Sequence, residues 1–293
     1  MPHKAGFVNI IGKPNVGKST LMNALVGEKL SIITSKAQTT RHRIMGIVNG
    51  DDFQIVYSDT PGIIEKPGYK LQESMMKFVE TALVDADIFL FLTEPGDRNY
   101  TDEFIGRITS GNIPLLVLIN KVDLAGQEAV MEAIGYWQQR LPQARVMPVS
   151  ALHKAGVEGV FEAILGMLPE SPPFYDKDEL TDRSMRFFVA EIIRAQILVQ
   201  FKKEIPYSVE VVVERYLEEE DPLQIEAVVY VERESQKAIL IGHQGAAIKR
   251  LGTTARKEIE AFVGRHIYLD LRIKVSKEWR EDPRQLKRFG YEQ

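Results

Sequence analysis

Residues 12–19 read Gly-Lys-Pro-Asn-Val-Gly-Lys-Ser, which has the residue types and spacing of a loop that holds a polyphosphate. In such a loop, backbone N–H groups and the N-terminus of the following helix surround the phosphate oxygens. Lys18 is expected to bridge the β- and γ-phosphates, and the Ser19 hydroxyl is expected to ligate Mg²⁺. The predicted phosphate contacts are Gly12, Lys13, Pro14, Asn15, Val16, Gly17, Lys18, Ser19 and Thr20.

Two later motifs predict which base the nucleotide carries. In Asn-Lys-Val-Asp (120–123), the Asp123 carboxylate can accept from guanine N1–H and the exocyclic amine, which adenine does not offer in that geometry. Asn120 is expected to tie this loop to the phosphate loop and the base, and the Lys121 stem to cover the ring. A site built for such groups rejects an analogue that lacks them by about 10⁴–10⁵. In Ser-Ala-Leu, which comprises Ser150, Ala151 and Leu152, the Ala151 N–H is expected to donate to guanine O6.

The segments that would sense the γ-phosphate lie between these motifs. Asp59 opens Asp-Thr-Pro-Gly (59–62) and is expected to reach Mg²⁺ through its water, while the Gly62 N–H meets the γ-phosphate. The polar, Thr-rich segment 31–43 is predicted to be a nucleotide-sensing loop. Thr40 is the expected Mg²⁺ ligand there; Thr39 and plain loop polarity remain as alternatives. The predicted metal-binding residues are Ser19, Thr40 and Asp59.

Hydrolysis is where the sequence departs from Ras-like proteins. These place a glutamine after Asp-x-x-Gly to orient the attacking water, and Ile63 stands at that position here. A hydrophobic side chain cannot orient water, so intrinsic hydrolysis is predicted to be slow or assisted. Asn15 could help to hold a potassium ion near the transferred phosphate, or it could only stabilise the loop geometry. The predicted catalytic residues are Lys18, Asn15, Thr40 and Gly62.

Composition and hydrophobic patterning predict two domains, the first of them α/β. The chain has 293 residues and no apolar run near the ~20 residues needed to cross a bilayer. It has no cysteine, which excludes disulfides and fits a reducing, cytoplasmic compartment. The nucleotide motifs follow predicted strands, as ligand sites do in open α/β sheets. The predicted strands are 6–11, 44–48, 53–57, 87–92, 115–120 and 145–149, and the helix after the phosphate loop is 18–26.

A Pro-rich, acidic and aperiodic segment then predicts a semi-rigid linker. Beyond it, the element order becomes α-β-β-α-α-β, with helices at 184–201 and 244–263 and strands at 207–216, 223–232 and 267–275. The predicted division is 1–168 for the nucleotide domain, 169–183 for the linker, 184–276 for the second domain and 277–293 for a charged tail.

The second domain carries a Gly-x-x-Gly loop between apolar helical segments. Such loops clamp about four nucleotides of single-stranded backbone in KH RNA-binding domains. Residues 237–293 carry 13 Lys and Arg against 7 Asp and Glu on a chain of net charge −4, which favours a polyanionic partner. Charge alone favours a solvated surface, and the loop alone could be an ordinary helix start. The predicted RNA contacts are Gly242, His243, Gln244, Gly245, Lys249 and Arg250.

Taken over its full length, the sequence resembles the Era family of bacterial GTPases with a C-terminal KH domain. The matching motifs are the phosphate loop, Lys-Ala-Gln-Thr-Thr-Arg-His-Arg (36–43), Asp-Thr-Pro-Gly, Asn-Lys-Val-Asp and Ile-Gly-His-Gln-Gly-Ala-Ala-Ile-Lys. The resemblance implies an α/β P-loop GTPase domain, with a mixed, mostly parallel sheet flanked by helices, followed by an α+β KH type II domain. It also implies a hydrophobic residue after Asp-x-x-Gly, which Ile63 satisfies.

The family further implies binding of the 3′ end of 16S ribosomal RNA and a role in 30S ribosomal subunit assembly. Peripheral association with the inner membrane surface is also implied, although only the basic C-terminal segment suggests it in this sequence. In the expected mechanism, GTP and Mg²⁺ order 31–43 and 59–75 and so gate RNA binding. Two alternatives are a signalling or trafficking GTPase with a protein-binding C-terminal domain and a GTP-driven RNA-remodelling or RNA-modifying enzyme, for which 184–293 offers no second catalytic cluster.

Overall fold

The computed structural model describes residues 2–34, 36 and 38–291, and the chain separates into two compact units. The first unit comprises Met1–Lys66 and Met75–Asp182, and the second comprises Pro67–Ser74 and Arg183–Gln293. Residues 35 and 37 of the predicted nucleotide-sensing loop, and 292 and 293 of the predicted tail, lie outside the described residues. Among the residues that are described, no helix combines the length and the apolar character that a bilayer crossing requires.

The first unit is a six-stranded sheet with helices between its strands. Its strands are β1 (Lys4–Gly12), β2 (Ile44–Asn49), β3 (Phe53–Asp59), β4 (Ile88–Thr93), β5 (Leu115–Ile119) and β6 (Arg145–Pro148). Its helices are α1 (Lys18–Val26), α2 (Lys70–Val84), α3 (Asp102–Thr109), α4 (Gln127–Arg140) and α5 (Val157–Met167), of which α2 begins in the second unit. The strand order is β2-β3-β1-β4-β5-β6, and only β2 runs antiparallel to its neighbour.

This topology follows from the hydrophobic pattern of the central strands. All six residues of β4 and all five of β5 are buried, as expected for strands covered by helices on both faces. The parallel arrangement brings the carboxyl ends of β1, β3, β4 and β5 to one edge of the sheet. The phosphate loop, Asp59 and Asn120 lie at or just after these ends.

The second unit is a three-stranded sheet packed with helices. Its elements are α6 (Met185–Gln200), β7 (Glu210–Leu217), β8 (Leu223–Val231), α7 (Glu234–Ile241), α8 (Ala246–Val263), β9 (Ile267–Val275) and α9 (Pro283–Arg288). Strand β8 lies between antiparallel β7 and parallel β9. The predicted order α-β-β-α-α-β is thus confirmed, although β7 begins later than predicted because a 3₁₀ turn that contains Pro206 precedes it.

The segment predicted as a linker packs along the first unit. The Ile47 N–H on β2 donates to the Leu180 carbonyl at 2.9 Å, and Gly46 bridges to Thr181. Earlier in the segment, the backbone N–H groups of Phe174 and Tyr175 both donate to the Gln54 side-chain oxygen, at 2.7 and 3.0 Å. Residues 174–181 therefore continue the first unit along the β2 edge.

The residues predicted as a charged tail fold into the second unit. Trp279, Leu286, Phe289 and Tyr291 are all buried. The Trp279 indole N–H donates to the Ser208 carbonyl at 3.0 Å, and the Tyr291 hydroxyl lies 2.6 Å from a Glu210 carboxylate oxygen. The apolar residues scattered among the charges thus give 277–291 a packed inner face.

Candidate nucleotide site and nucleic-acid interface

The phosphate loop joins the end of β1 to the start of α1, with Gly17 in the left-handed conformation as the cap of α1. Lys18 is buried at the base of the loop, where its ammonium donates to the Gly12 and Lys13 carbonyls at 3.0 and 2.8 Å. Burial lowers the pKa of Lys18 to about 8, against the opposing effect of the Asp59 charge. The loop therefore holds a buried cation where a polyphosphate would be bound.

Three predicted metal-binding side chains come together beside this lysine. The Ser19 hydroxyl lies 2.6 Å from Asp59 Oδ2 and 2.9 Å from the Thr40 hydroxyl, which is itself 3.4 Å from Asp59 Oδ2. Burial raises the pKa of Asp59, whereas the Ser19 hydrogen bond and the Lys18 charge lower it. The arrangement gathers two hydroxyls and one carboxylate from three separate elements.

This trio fits Mg²⁺, which prefers oxygen ligands and keeps several waters. Asp59 Oδ1 is buried and has no hydrogen-bond partner among the described residues, so a metal-bound water would satisfy it. The described residues contain no cluster of three or more His, Cys, Asp or Glu side chains for a metal ion. The donors that this site offers a metal are the Ser19 and Thr40 hydroxyls and the Asp59 carboxylate.

Thr39, the alternative metal ligand, is held elsewhere. Its hydroxyl lies 2.6 Å from the Thr34 hydroxyl and donates to the Lys36 carbonyl at 2.6 Å. The structure accordingly brings Thr40, rather than Thr39, to Ser19 and Asp59.

Base recognition depends on a network centred on Asn120. Its amide donates to the Val16 carbonyl of the phosphate loop at 2.7 Å, and its side-chain oxygen accepts from the Ala151 N–H at 2.9 Å. Asn120 thus joins the phosphate loop to the Ser-Ala-Leu loop. The contact with the phosphate loop is the one that the sequence predicts for it. The Ala151 N–H, which is predicted to donate to guanine O6, donates to Asn120 in this structure, and its contact with guanine stays a prediction.

The guanine-reading carboxylate is oriented by a neighbouring loop. The Ser150 hydroxyl donates to Asp123 Oδ1 at 2.6 Å, and this hydrogen bond is the main cause that lowers the pKa of Asp123. His153 lies 3.7 Å from the other carboxylate oxygen. Asp123 is therefore held as an ionised acceptor, as pairing with two guanine N–H groups requires.

Two exposed leucines complete the nucleotide cleft. Leu124 is 79% and Leu152 is 72% exposed, and both line the same cleft as Lys18, Asn120 and Asp123. An apolar side chain at this exposure is explained if it contacts a ligand, here the faces of a planar base. Sequence reasoning named Leu152 but missed Leu124, although it directly follows Asn-Lys-Val-Asp.

The Asp-Thr-Pro-Gly segment lies directly over the phosphate loop. A Cβ at position 62 would come within 2.6 Å of Pro14 Cα, so only glycine allows this approach. The Ile63 N–H donates to the Gly12 carbonyl at 3.2 Å. Gly62 therefore packs closely against the phosphate loop, and Ile63 contributes no polar side-chain group.

Asn15 has a backbone conformation that supports its geometric role. It is exposed and has a φ of 64°, in the left-handed region that Asn tolerates better than most residues. A side-chain oxygen at this exposed turn could also reach an ion near the phosphates. Both interpretations of Asn15 are compatible with the structure.

In the second unit, the Gly-x-x-Gly loop turns between α7 and α8. His243 and Gln244 at its tip are exposed, and Gly245 caps α8 with a φ of 78°. A Cβ at Gly245 would meet nothing within 4 Å, so open space lies beside the helix N-terminus. Lys249 and Arg250 are exposed one turn into α8, where they could reach a phosphate backbone.

The loop continues into a shallow cleft between α8 and β9. The cleft is lined by Ile248, Lys249, Gly252, Thr253, Arg256, Leu269 and Leu271. Its floor is apolar and its rim carries two cations, which suits bases against the floor and phosphates at the rim. Sequence reasoning found only Lys249 of this set, because the contribution of β9 follows from its parallel pairing with β8.

Comparison with known proteins finds a match for each of the two units. A family profile described as 50S ribosome-binding GTPase matches residues 7–121, and one described as KH domain matches residues 204–280. GTPase Era of Geotalea uraniireducens is 44% identical over 292 residues, which cover 99% of this chain and 98% of that protein. This chain belongs to the Era family of GTPases. Its resemblance to that family, first seen in the motifs, is confirmed.

Other Era relatives extend the comparison. The chloroplastic GTPase ERA1 of Zea mays is 42% identical over 99% of this chain and 71% of its own length. A crystal structure of Era in complex with MgGDPNP and nucleotides 1506–1542 of 16S ribosomal RNA is 37% identical, with a TM-score of 0.93 over 99% of this chain and 100% of that one. A point variant of Aquifex aeolicus Era bound to GDP·AlF₄⁻ gives the same identity and TM-score.

Membership of the Era family settles the activity class and the fold class. The protein is a GTPase that hydrolyses GTP, with an α/β P-loop GTPase domain followed by an α+β KH domain. The predicted fold class is thereby confirmed.

Proposed function

We propose that this protein binds the 3′ end of 16S ribosomal RNA through its KH cleft, in a manner governed by GTP, during assembly of the 30S subunit. The observation that carries the proposal is that one chain holds both a pre-arranged guanine-nucleotide site and a Gly-x-x-Gly loop that opens onto a cation-rimmed cleft. The Era complex with MgGDPNP and this RNA segment supports it at 37% identity over 99% of the chain.

At the nucleotide site, Asp123 selects guanine while the Lys121 stem, Leu124 and Leu152 cover the base. Lys18 exchanges its two backbone carbonyl partners for phosphate oxygens, and the phosphate charge favours its protonated form. The Gly62 N–H is placed to contact the γ-phosphate. These interactions bind and orient GTP but supply no side chain that activates water.

Ser19, Thr40 and Asp59 are the residues that would hold Mg²⁺. The ion, when bound, neutralises charge that develops on the phosphate oxygens. Thr40 belongs to the segment 31–43, so its engagement would order that segment in the GTP state. With Ile63 in place of a water-orienting glutamine, the intrinsic rate of hydrolysis is slow.

Potassium is the further cation of this proposal, with Asn15 Oδ1 as one ligand. Two variants separate this role from loop geometry, since Asn15→Gly keeps the left-handed backbone without an oxygen and Asn15→Asp keeps both. Hydrolysis should be faster in K⁺ than in Na⁺ for the wild type and Asn15→Asp only. Equal rates in the two salts for the wild type would leave Asn15 with loop geometry alone.

The coupling between GTP and RNA rests on the segment 59–75. Its later part, residues 67–74, belongs to the second compact unit, where the Leu71 N–H donates to the Arg280 carbonyl at 3.0 Å and Arg280 lies over the Tyr69 ring. Ordering of 59–66 by the γ-phosphate would therefore act on a segment that continues into the KH unit. RNA binding is favoured in the GTP state and restricted after hydrolysis.

The test is the affinity of a fluorescent RNA with the sequence of nucleotides 1506–1542, measured with a non-hydrolysable GTP analogue and with GDP. Typical coupling of this kind changes affinity about 5- to 150-fold. Equal affinity in the two states would mean no coupling, and no binding in either state would remove the RNA assignment. A scrambled RNA of equal length is the control for non-specific charge.

We also propose a cytoplasmic location with peripheral association at the inner membrane surface. The excess of cations in 237–293 supports it, since anionic lipid attracts basic segments. The apolar side chains of 277–291 are buried, so such association would be electrostatic. Co-flotation with anionic vesicles at low salt, absent with neutral vesicles, would support this location; no flotation with either would count against it.

A further inference from the structure

The loop that follows β4 carries two carboxylates, and each pairs with a lysine of a different nucleotide motif. Asp97 Oδ1 lies 2.7 Å from the Lys13 ammonium in the phosphate loop. Glu94 Oε1 lies 2.6 Å from the Lys121 ammonium in Asn-Lys-Val-Asp. One short loop, 94–97, thus contacts both the phosphate end and the base end of the site.

The loop itself is rigid enough to place these carboxylates. The Gly96 and Asp97 N–H groups both donate to the Glu94 carbonyl at 3.0 Å, which closes a tight turn. The Thr93 hydroxyl donates to the Asp97 carbonyl at 3.1 Å. The Thr93 carbonyl also accepts the Asn120 N–H at 2.8 Å, so the turn is fixed to the strand that bears the base motif.

Lys13 is fixed by a second contact as well. Its ammonium lies 4.3 Å from the centroid of the Tyr100 ring, which is buried and packs edge-on against Phe91. A cation over an aromatic face is attracted by the ring quadrupole. The ring and the Asp97 carboxylate together restrict the position of the Lys13 ammonium.

We propose that Glu94 and Asp97 are positioning residues that lengthen the residence time of the nucleotide. Asp97 holds Lys13 and thereby the phosphate loop, and Glu94 holds the Lys121 ammonium so that its stem lies flat against the base. A lysine fixed in advance loses less side-chain entropy when the ligand binds. The inference rests on the nucleotide-site residues proposed above.

The size of the effect follows from the exposure of the pairs. Their side chains are between 23% and 38% exposed, so water and salt screen them in part. Pairs of this kind change an equilibrium by about two- to fivefold each. The two carboxylates lie on one hydrogen-bonded turn, so their effects should be coupled and not strictly multiply.

The experiment measures dissociation of fluorescent N-methylanthraniloyl-GDP from the full chain by stopped flow. Glu94→Gln and Asp97→Asn should each raise the dissociation rate about two- to fivefold, and the double variant should raise it more than either single variant. Glu132→Gln is the matched control, because it removes a similar surface pair with Arg98 that touches no nucleotide motif. Its rate should stay within about 1.5-fold of wild type.

A second ligand distinguishes positioning from general loosening of the fold. Pyrophosphate with Mg²⁺ has no base. Its ability to compete with the fluorescent GDP should therefore weaken in Asp97→Asn and stay unchanged in Glu94→Gln. The proposal would be overturned by unchanged GDP dissociation rates in both variants. An equal weakening of pyrophosphate binding in both variants would also overturn it. If the wild type itself does not bind the fluorescent GDP, the nucleotide-site assignment fails first, and this inference fails with it.

Discussion

The nucleotide site and the KH cleft differ in how many of their polar groups are engaged before a ligand arrives. Asp59, Asn120 and Asp123 each have hydrogen-bond partners from another segment of the first unit. Around the Gly-x-x-Gly loop and the KH cleft, the side chains of His243, Gln244 and Lys249 are exposed, and the engaged cations are Arg256, 2.9 Å from Glu260, and Arg250, which donates to Gln200 at 3.1 Å. The first arrangement gives selectivity through geometry, and the second gives affinity through charge and open space.

This difference predicts which substitutions act through geometry and which through charge. A group held by internal bonds rejects a ligand of the wrong pattern, because the group is then left unpaired. An exposed cationic surface attracts any phosphate backbone, and the attraction weakens with salt. Four experiments test the difference between the two sites.

Asp123→Asn should weaken GTP binding about a thousandfold or more, because the amide offers a donor where guanine also offers donors. The variant should instead bind xanthosine triphosphate, whose exocyclic oxygen accepts from the new amide. Titration of both nucleotides into one preparation measures the change. Asp102→Asn, in an exposed pair with Arg140, is the control and should bind GTP normally. Loss of both nucleotides in Asp123→Asn would indicate a damaged fold and not altered base selection.

Gly245→Asp should weaken RNA binding about a hundredfold and leave GTP binding unchanged, because it adds a negative charge where phosphates must approach. Gly264→Asp is a close match, since Gly264 has a φ of 73°, open space around it and a place at the other end of α8. Both variants carry the same backbone strain. RNA affinity that falls equally in the two would attribute the loss to strain and remove the role of the loop.

Thr40→Ala should lower the rate of GTP hydrolysis about tenfold or more and raise the Mg²⁺ concentration needed for half-maximal rate. Thr39→Ala removes the neighbouring hydroxyl, whose partners are Thr34 and Lys36, and should change the rate far less. Single-turnover hydrolysis over a range of Mg²⁺ concentrations measures both variants. A larger effect from Thr39→Ala would reverse the assignment of the metal ligand.

The buried Lys18 predicts a dependence on pH. Its pKa in the free protein is about 8, below the ordinary value of 10.5, so the free site loses its proton as the pH rises past 8. GDP binds the protonated form, and its affinity should therefore fall about tenfold between pH 7 and pH 9. Lys18→Arg, which stays charged, should bind more weakly but without this slope. A flat wild-type profile would contradict the pKa shift.

The lowered pKa of Lys18 also predicts how the stability of the nucleotide-free protein changes with pH. Between pH 8 and 10.5 the unfolded chain binds the Lys18 proton more strongly than the folded chain does. The free energy of unfolding should therefore rise with pH in this window, as far as Lys18 contributes. Below pH 8 its contribution is constant.

Much of this fold could be predicted because the residues that form its sites lie in contiguous motifs. The phosphate loop needs eight consecutive residues at one strand end, and the Gly-x-x-Gly loop needs four, so local sequence is enough to locate both. The element order of the KH domain follows from hydrophobic periodicity. These are features in which residues near in sequence act together.

What could not be predicted depends on residues far apart in the chain. Glu94 and Lys121 are 27 positions apart, and nothing local to Glu-Pro-Gly-Asp shows that its two acids meet two nucleotide motifs. Leu269 joins the KH cleft only through strand pairing. Likewise, the predicted tail is charged by composition, whereas its few apolar residues decide how it packs.

The hydrogen bond between Ile47 and Leu180 has a consequence for behaviour at high concentration. Strand β2 is an edge of the six-stranded sheet, and an uncovered edge is a template onto which another chain can add a strand. Residues 180 and 181 occupy that template, and the Asp182 carboxylate accepts the next free N–H of the edge, from Met45, at 3.0 Å. The connecting segment thus covers the β2 edge against the addition of a strand from another chain.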